Sequence, residues 1–194
     1  MPKTYSETER NNIRESLKTE GKKCLALYGV KKTTVDELVR RVNIPKGTFY
    51  LFYSSKEALF FDILKSFPDE VEELYLEMLQ NLDENLIVTS LTNVFTAILM
   101  KFYRDGVYRA LDEGELELIL RPIGEEEVKA MKVHEKDILV NLFSIFSISD
   151  KDDIASFSSG YRALFYLLLH NDKIEDIEKA LRVLVRGLVL EMVE

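Results

Sequence analysis

TVDELVRRVNIPKGTFYLFYSSKEALF, residues Thr34–Phe60, reads as a short helix, a tight turn, a second short helix and the start of a third. Thr33 or Thr34 opens the first helix, because a hydroxyl there can accept from free N–H groups, and Thr34 with Glu37 has the i, i+3 spacing of a capping box. Val35, Leu38, Val39 and Val42 lie on one apolar stripe, from which Arg40 and Arg41 fall away. Asn43 tolerates the left-handed conformation that stops a helix and turns the chain sharply. Ile44 anchors the turn in a core, and Pro45 fits the first position of a new helix, where a missing N–H costs nothing. Helices joined in this way form a helix-turn-helix, which sets its second helix in the major groove of DNA.

That second helix, Pro45 to about Phe52, has unusual contents. Gly47 weakens a helix by roughly 1 kcal/mol relative to alanine. It reads either as a neutral loop residue or as a place where a side chain would hold the backbone off a phosphate or base edge, with Thr48 and the free N–H groups donating to DNA. Phe49 points inward, leaving Tyr50 to face out and place its hydroxyl on a phosphate. Ser54 or Ser55 caps the next helix, so Lys56 falls in its first turn. A lysine there opposes the helix dipole, and a nearby phosphate would explain it.

Thr34-Val35, Leu38-Val39, Val42-Asn43-Ile44, Lys46-Gly47-Thr48-Phe49-Tyr50, Phe52-Tyr53, Ser55-Lys56-Glu57 and Leu59-Phe60 together resemble the DNA-binding signature of the TetR/AcrR family of bacterial transcriptional regulators. Tyr28-Gly29-Val30 followed by Thr33-Thr34 fits the same pattern. The resemblance covers about the first 60 residues, with valines at positions 39 and 42 where small residues are common, Asn43 for the turn glycine, and Pro45 for a small polar residue. It implies an all-α chain, with a three-helix DNA-binding domain over 1–53 and a larger helical ligand-binding and dimerisation domain over 54–194. It also implies DNA contacts at Thr34, Lys46, Gly47, Thr48, Tyr50, Leu51 and Lys56.

Charge supports that division. Residues 1–60 hold 12 Lys or Arg against 7 Asp or Glu, a formal +5, whereas residues 61–194 hold 14 against 27, a formal −13. The net charge of −8 conceals this split, and the field over the binding face is the relevant quantity. Lys3, Arg10, Arg14, Lys18, Lys22 and Lys23 add a basic flank along the first helix, which reads as phosphate-contacting or as solvated surface.

A chain of 194 residues with 46% hydrophobic content can bury a substantial core. Its single cysteine, Cys24, excludes an intrachain disulfide and reads as a small buried filler. His134 and His170 are far apart and lack cysteine partners, so neither a metal site nor a cofactor is expected. Lacking a phosphate loop, a nucleophile elbow and a Ser, His and acid grouping, the chain does not read as an enzyme. No apolar run near 18 residues and no N-terminal signal are visible, which points to a cytoplasmic protein that does not use a membrane.

The first helix is expected to run from Ser6 or Thr8 to Tyr28 and to stop at Gly29, and a fourth from about Ser54 until Pro68 ends it or starts its successor. Further helices are expected over 69–82, 84–103, around 107–120, 124–147, 151–170 and 173–193, with Gly106, Gly114, Pro122 and Gly124 making 105–124 either a broken helix or a mobile segment beside a pocket. Ser149 with Asp152 and Asp172 with Glu175 read as capping boxes for the last two. The last helix has two apolar faces, one more than a monomer needs, so it and its predecessor are expected to form a two-fold interface through Phe157, Tyr161, Leu164, Leu181, Val185 and Leu188. By resemblance, an effector pocket would lie near Phe95, Phe102, Tyr103, Tyr108, Met131, His134, Phe143, Phe146 and Tyr166. The partners so implied are double-stranded operator DNA, a second copy of the chain and a small-molecule effector of unknown identity. In the alternative, no small molecule acts and the body serves dimerisation or protein contacts.

Overall fold

A computed structural model describes residues 5–80, 86–129 and 151–193, and these are helical throughout apart from turns and caps. The fold is all-α: α1 (Glu7–Lys32), α2 (Val35–Val42), α3 (Lys46–Phe49), α4 (Lys56–Leu79), α5 (Ile87–Arg104), a 3₁₀ turn (Val107–Leu111), α6 (Glu113–Leu120), α7 (Lys151–Leu168) and α8 (Ile177–Val193). The chain divides into two compact units, the first running to Ser66 and including Asp105–Glu125, the second comprising Phe67–Arg104 and the residues from Glu126 onward.

In the first unit α1 opens on a complete capping box, with the Ser6 hydroxyl accepting from Glu9 N–H and the Glu9 carboxylate accepting from Ser6 N–H. Its helical geometry breaks at Gly29, which takes φ 72°, as its position after Tyr28 predicts. Leu17, Cys24, Leu25, Leu38, Phe49, Leu59, Phe60 and Ile63 are buried in one small core shared by α1, α2, α3 and the start of α4. Arg41 ties α2 to α1: its guanidinium reaches Glu37 at 2.6 Å, Glu20 at 3.5 Å and the Tyr28 hydroxyl at 3.2 Å. Hydrogen bonds from Arg40 and Arg41 hold the Glu37 carboxyl below its ordinary pKa.

The segment 105–124 is a broken helix, as its glycines suggest, and it packs on α1. Arg109 donates to the Ala26 carbonyl at 3.0 Å, and the Glu115 carboxylate accepts from the N–H groups of Val30 and Lys31. Gly106, at φ 73°, lets the backbone come so close that an added Cβ would lie 2.6 Å from the Ala26 Cα. Pro68 does not divide α4. The helix continues through it because Phe60, Leu64, Phe67, Val71 and Tyr75 form an uninterrupted buried stripe across the position, and that burial outweighs a proline cost of about 3 kcal/mol.

In the second unit α5 packs on α8, where Arg182 donates to Asn93 at 2.7 Å and Arg104 pairs with Glu178 at 3.0 Å. The last helix starts four residues later than expected. Asp176, not Asp172, caps it by accepting from Lys179 N–H at 3.0 Å, and Asn171–Lys173 form a 3₁₀ turn. Ser149 lies outside the described residues.

Candidate nucleic-acid interface

The α2–turn–α3 segment is assembled by the local chemistry its residues provide. Thr34 caps α2, its hydroxyl accepting from Glu37 N–H at 3.2 Å. Asn43 adopts φ 56°, ψ 49°, the left-handed geometry of a sharp helix stop, and its N–H and that of Ile44 close on the carbonyls of Arg40 and Val39. Pro45 sits one position earlier than expected, as the cap of α3 with extended ψ 147°, and the helix proper is only Lys46–Phe49, followed by a turn through Phe52.

Thr34, Lys46, Gly47, Tyr50 and Leu51 are all exposed along α2, the turn and α3. Tyr50 and Leu51 are more than half exposed, and a side chain at Gly47 would meet nothing within 4 Å, so the backbone there is open to close approach. Phe49 is fully buried beneath them, edge-on to Tyr50 at 5.5 Å. The Arg10 guanidinium of α1 lies over the Phe52 ring, 5.2 Å from its centroid.

Thr48 and Lys56 of the expected set have partners within the chain. Thr48 is buried and its hydroxyl is 3.2 Å from the Tyr5 hydroxyl, so it ties the segment before α1 to α3. Lys56 reaches back to the end of α1, where its ammonium donates to the carbonyls of Val30 at 2.6 Å and Thr33 at 2.7 Å. This explains a lysine at an unfavourable helix start: Lys56 answers the negative end of α1 rather than the positive end of α4. Sequence reasoning missed Asp36, whose carboxylate meets the Lys46 ammonium at 2.9 Å and raises its pKa through their hydrogen bond. The pair spans the turn, so no helical spacing announces it. Tyr5 was missed for a similar reason, because its partner is 43 positions away.

The residues expected at a dimer interface are packed within the protomer. Phe157, Tyr161, Leu164, Leu181 and Val185 are buried, Tyr161 donates to the Phe95 carbonyl at 2.8 Å, and Leu188 closes on Gly160. A helix with two apolar faces does not reveal in its spacing which face stays at home. The outward face of α8 holds Val183, Leu184 and Leu190 around Gly187, and α7 exposes Tyr166.

Of the residues expected near an effector, Phe95 packs between Phe157 at 4.8 Å and Tyr161 at 5.0 Å, and Phe102 between Phe67 at 4.5 Å and Phe165 at 4.7 Å. Tyr103 lines an open groove of about 680 Å³ with Met100, Ile177 and Glu178. Tyr108 belongs to the first unit, and Tyr166 faces outward. Met131, His134, Phe143 and Phe146 lie outside the described residues. The Thr96 hydroxyl is buried in α5 without a hydrogen-bond partner. Among the described residues no group of three or more His, Cys, Asp or Glu is placed to hold a metal ion, and no helix is long and apolar enough to cross a membrane.

A three-helix head that presents a short second helix on an exposed face, followed by a larger helical body, defines the class of helix-turn-helix transcriptional regulators. Residues 19–63 match the profile of bacterial regulatory proteins of the tetR family, so the chain is similar to that family over its helix-turn-helix segment. It is 29% identical over 132 residues to the uncharacterised HTH-type transcriptional regulator YuxN of Bacillus subtilis (strain 168). That alignment covers 66% of this chain, which spans only 43% of the relative's length. Its fold is similar to that of the fatty acid degradation regulator FadR from Bacillus halodurans (TM-score 0.64, 13% identity, 96% of this chain and 97% of that one). It is also similar to FadR from Bacillus subtilis in complex with stearoyl-CoA (TM-score 0.60, 15% identity, 90% and 97%).

Proposed function

We propose that the protein is a ligand-responsive transcriptional repressor that binds a palindromic operator as a homodimer and leaves it when a small-molecule effector binds the body. The observation that carries this reading is the exposure of Thr34, Lys46, Gly47, Tyr50 and Leu51 in the helix-turn-helix segment, with open space over Gly47. Residues 1–53 act as the reading head, and 54–194 as the regulatory and dimerising body. Thr34 and Tyr50 donate to phosphates, while Lys46 and Leu51 face the base edges. Lys56 acts through its hold on the end of α1, which fixes where α2 begins.

The two copies meet through the outward face of α8 around Val183 and Leu190 and through Tyr166 of α7. An effector that prefers one arrangement of the body shifts the population of dimers able to span both half-sites, and one that binds both arrangements equally shifts nothing. The continuous helix α4 provides a covalent route for that shift. The buried, unpartnered Thr96 hydroxyl supports an effector site beside α5. The close packing of Phe95, Phe157 and Tyr161 favours the second reading, a regulator on which no small molecule acts.

Selection of bound duplexes from random DNA, followed by a screen for compounds that release the selected operator, tests both readings. Acyl-CoA thioesters are the first compounds to try, given the stearoyl-CoA complex of the Bacillus subtilis FadR. Recovery of a palindrome together with a releasing compound supports the repressor. A palindrome that no compound releases moves the assignment to the ligand-independent regulator.

A further inference from the structure

We infer that Asp36 and Lys46 act as one unit that reads a G·C base pair, an inference that rests on the DNA-reading function of the head. The Lys46 ammonium begins α3, and the Asp36 carboxylate reaches it from the first turn of α2 at 2.9 Å. Both groups are well exposed, with half the lysine side chain and 72% of the aspartate side chain open to solvent. Asp36 suits the helix dipole in the first turn of α2 and pairs with Lys46, yet a carboxylate among residues that meet phosphates is repelled by them, a cost that a reading role offsets. The pair supplies one: a donor and an acceptor held side by side.

A G·C pair presents the complementary arrangement in the major groove. Guanine O6 accepts and cytosine N4–H donates, and these two atoms are themselves joined by an N–H···O bond of about 2.9 Å. Lys46 over O6 and Asp36 over N4 therefore match the base-pair edge in polarity and in spacing. A T·A pair in the same orientation also offers an acceptor beside a donor, in thymine O4 and adenine N6–H. The flanking atoms discriminate against it. Lys46 loses the second acceptor, guanine N7, and meets the thymine methyl, while Asp36 meets the lone pair of adenine N7. Cytosine puts no acceptor there. The reversed pairs C·G and A·T place donor against donor and acceptor against acceptor.

The test uses the full-length protein and duplexes selected from a random library, scored at each position for wild type, Asp36→Ala and Asp36→Asn, with folding checked by circular dichroism. Wild type is expected to select a G·C pair at one position of each half-site and to lose roughly tenfold in affinity when it is changed to T·A. D36A is expected to flatten the preference at that position alone and to bind random duplex more tightly, since a repelling charge is gone. D36N is expected to move the preference to adenine in place of cytosine, because an amide both accepts from N6–H and donates to N7, a gain that misfolding cannot imitate. Selection profiles of both variants that coincide with wild type overturn the pairing and leave DNA binding standing. If wild type selects no sequence and binds no duplex, the DNA-reading function falls and this inference with it.

Discussion

The side chains at the end of α1 show how single residues tie separate elements of the chain together. After Gly29 the helix leaves N–H and C=O groups without helical partners. Glu115 accepts from the N–H groups of Val30 and Lys31, while Lys56 donates to the carbonyls of Val30 and Thr33. Lys56→Ala leaves those carbonyls without their charged donor, a cost of about 2 kcal/mol, and should lower Tm by roughly 4–8 °C for a chain of this size. An unchanged melting curve, with DNA affinity lost, would instead make Lys56 a direct phosphate contact. Tyr50 has no such structural duty: its ring is half exposed, so Tyr50→Phe should leave the melt alone and weaken binding about tenfold on operator and random duplexes alike. Equal affinities for the two proteins would remove the phosphate role. Cys24 sits at the opposite extreme, with burial pushing its thiol above the ordinary value. Since the thiolate is the reactive form, native protein at pH 8 should resist iodoacetamide over the time in which urea-unfolded protein is fully modified.

At the scale of elements, what could be read from sequence was what short-range chemistry decides. Thr34, Asn43 and the Val35–Val42 stripe each fix their own few residues of backbone, so the first helix and the turn appear where they were expected, while the second helix is shorter than expected and begins after Pro45. Pro68 misled because a local rule met a longer-range one: the buried stripe from Phe60 to Tyr75 spans it. The position of 105–124 was illegible for a related reason. Its breaks follow from its glycines, but its attachment to α1 depends on pairs more than 80 residues apart, such as Arg109 with Ala26 and Glu115 with Val30. Gly106 is the point where that attachment is tightest. Gly106→Ala would force a left-handed φ on alanine and drive its Cβ into the Ala26 backbone, so a loss of about 1–3 kcal/mol is expected. Hydrogen exchange would follow it as faster exchange at the end of α1, and wild-type protection there would argue that α6 does not support the head.

At the scale of the whole molecule, the proposed reading of a palindrome by a dimer rests on the outward face of α8. Leu181, Val185 and Val189 are fully buried inside the protomer, yet Val183 is 67% exposed and Leu184 and Leu190 are open beside it. A Cβ added at Gly187, between them, would meet no atom of the described residues within 4 Å, which lets another helix approach closely. An isologous contact would place each α8 against its copy across a two-fold axis, and about 800 Å² per partner is what a stable interface of ordinary size covers. Wild-type protein at micromolar concentration should therefore sediment near 45 kDa, twice the chain mass of 22.5 kDa. Val183→Glu combined with Leu190→Glu should give a folded monomer, because both side chains point away from the core. Its operator affinity should fall by about a hundredfold or more as the two half-sites lose their linkage, with little change on a single half-site. Leu181→Glu, facing inward, should unfold the body instead. A wild-type mass of 22.5 kDa, or a double variant that remains dimeric, would locate the contact elsewhere or remove the dimer as the basis for reading a palindrome.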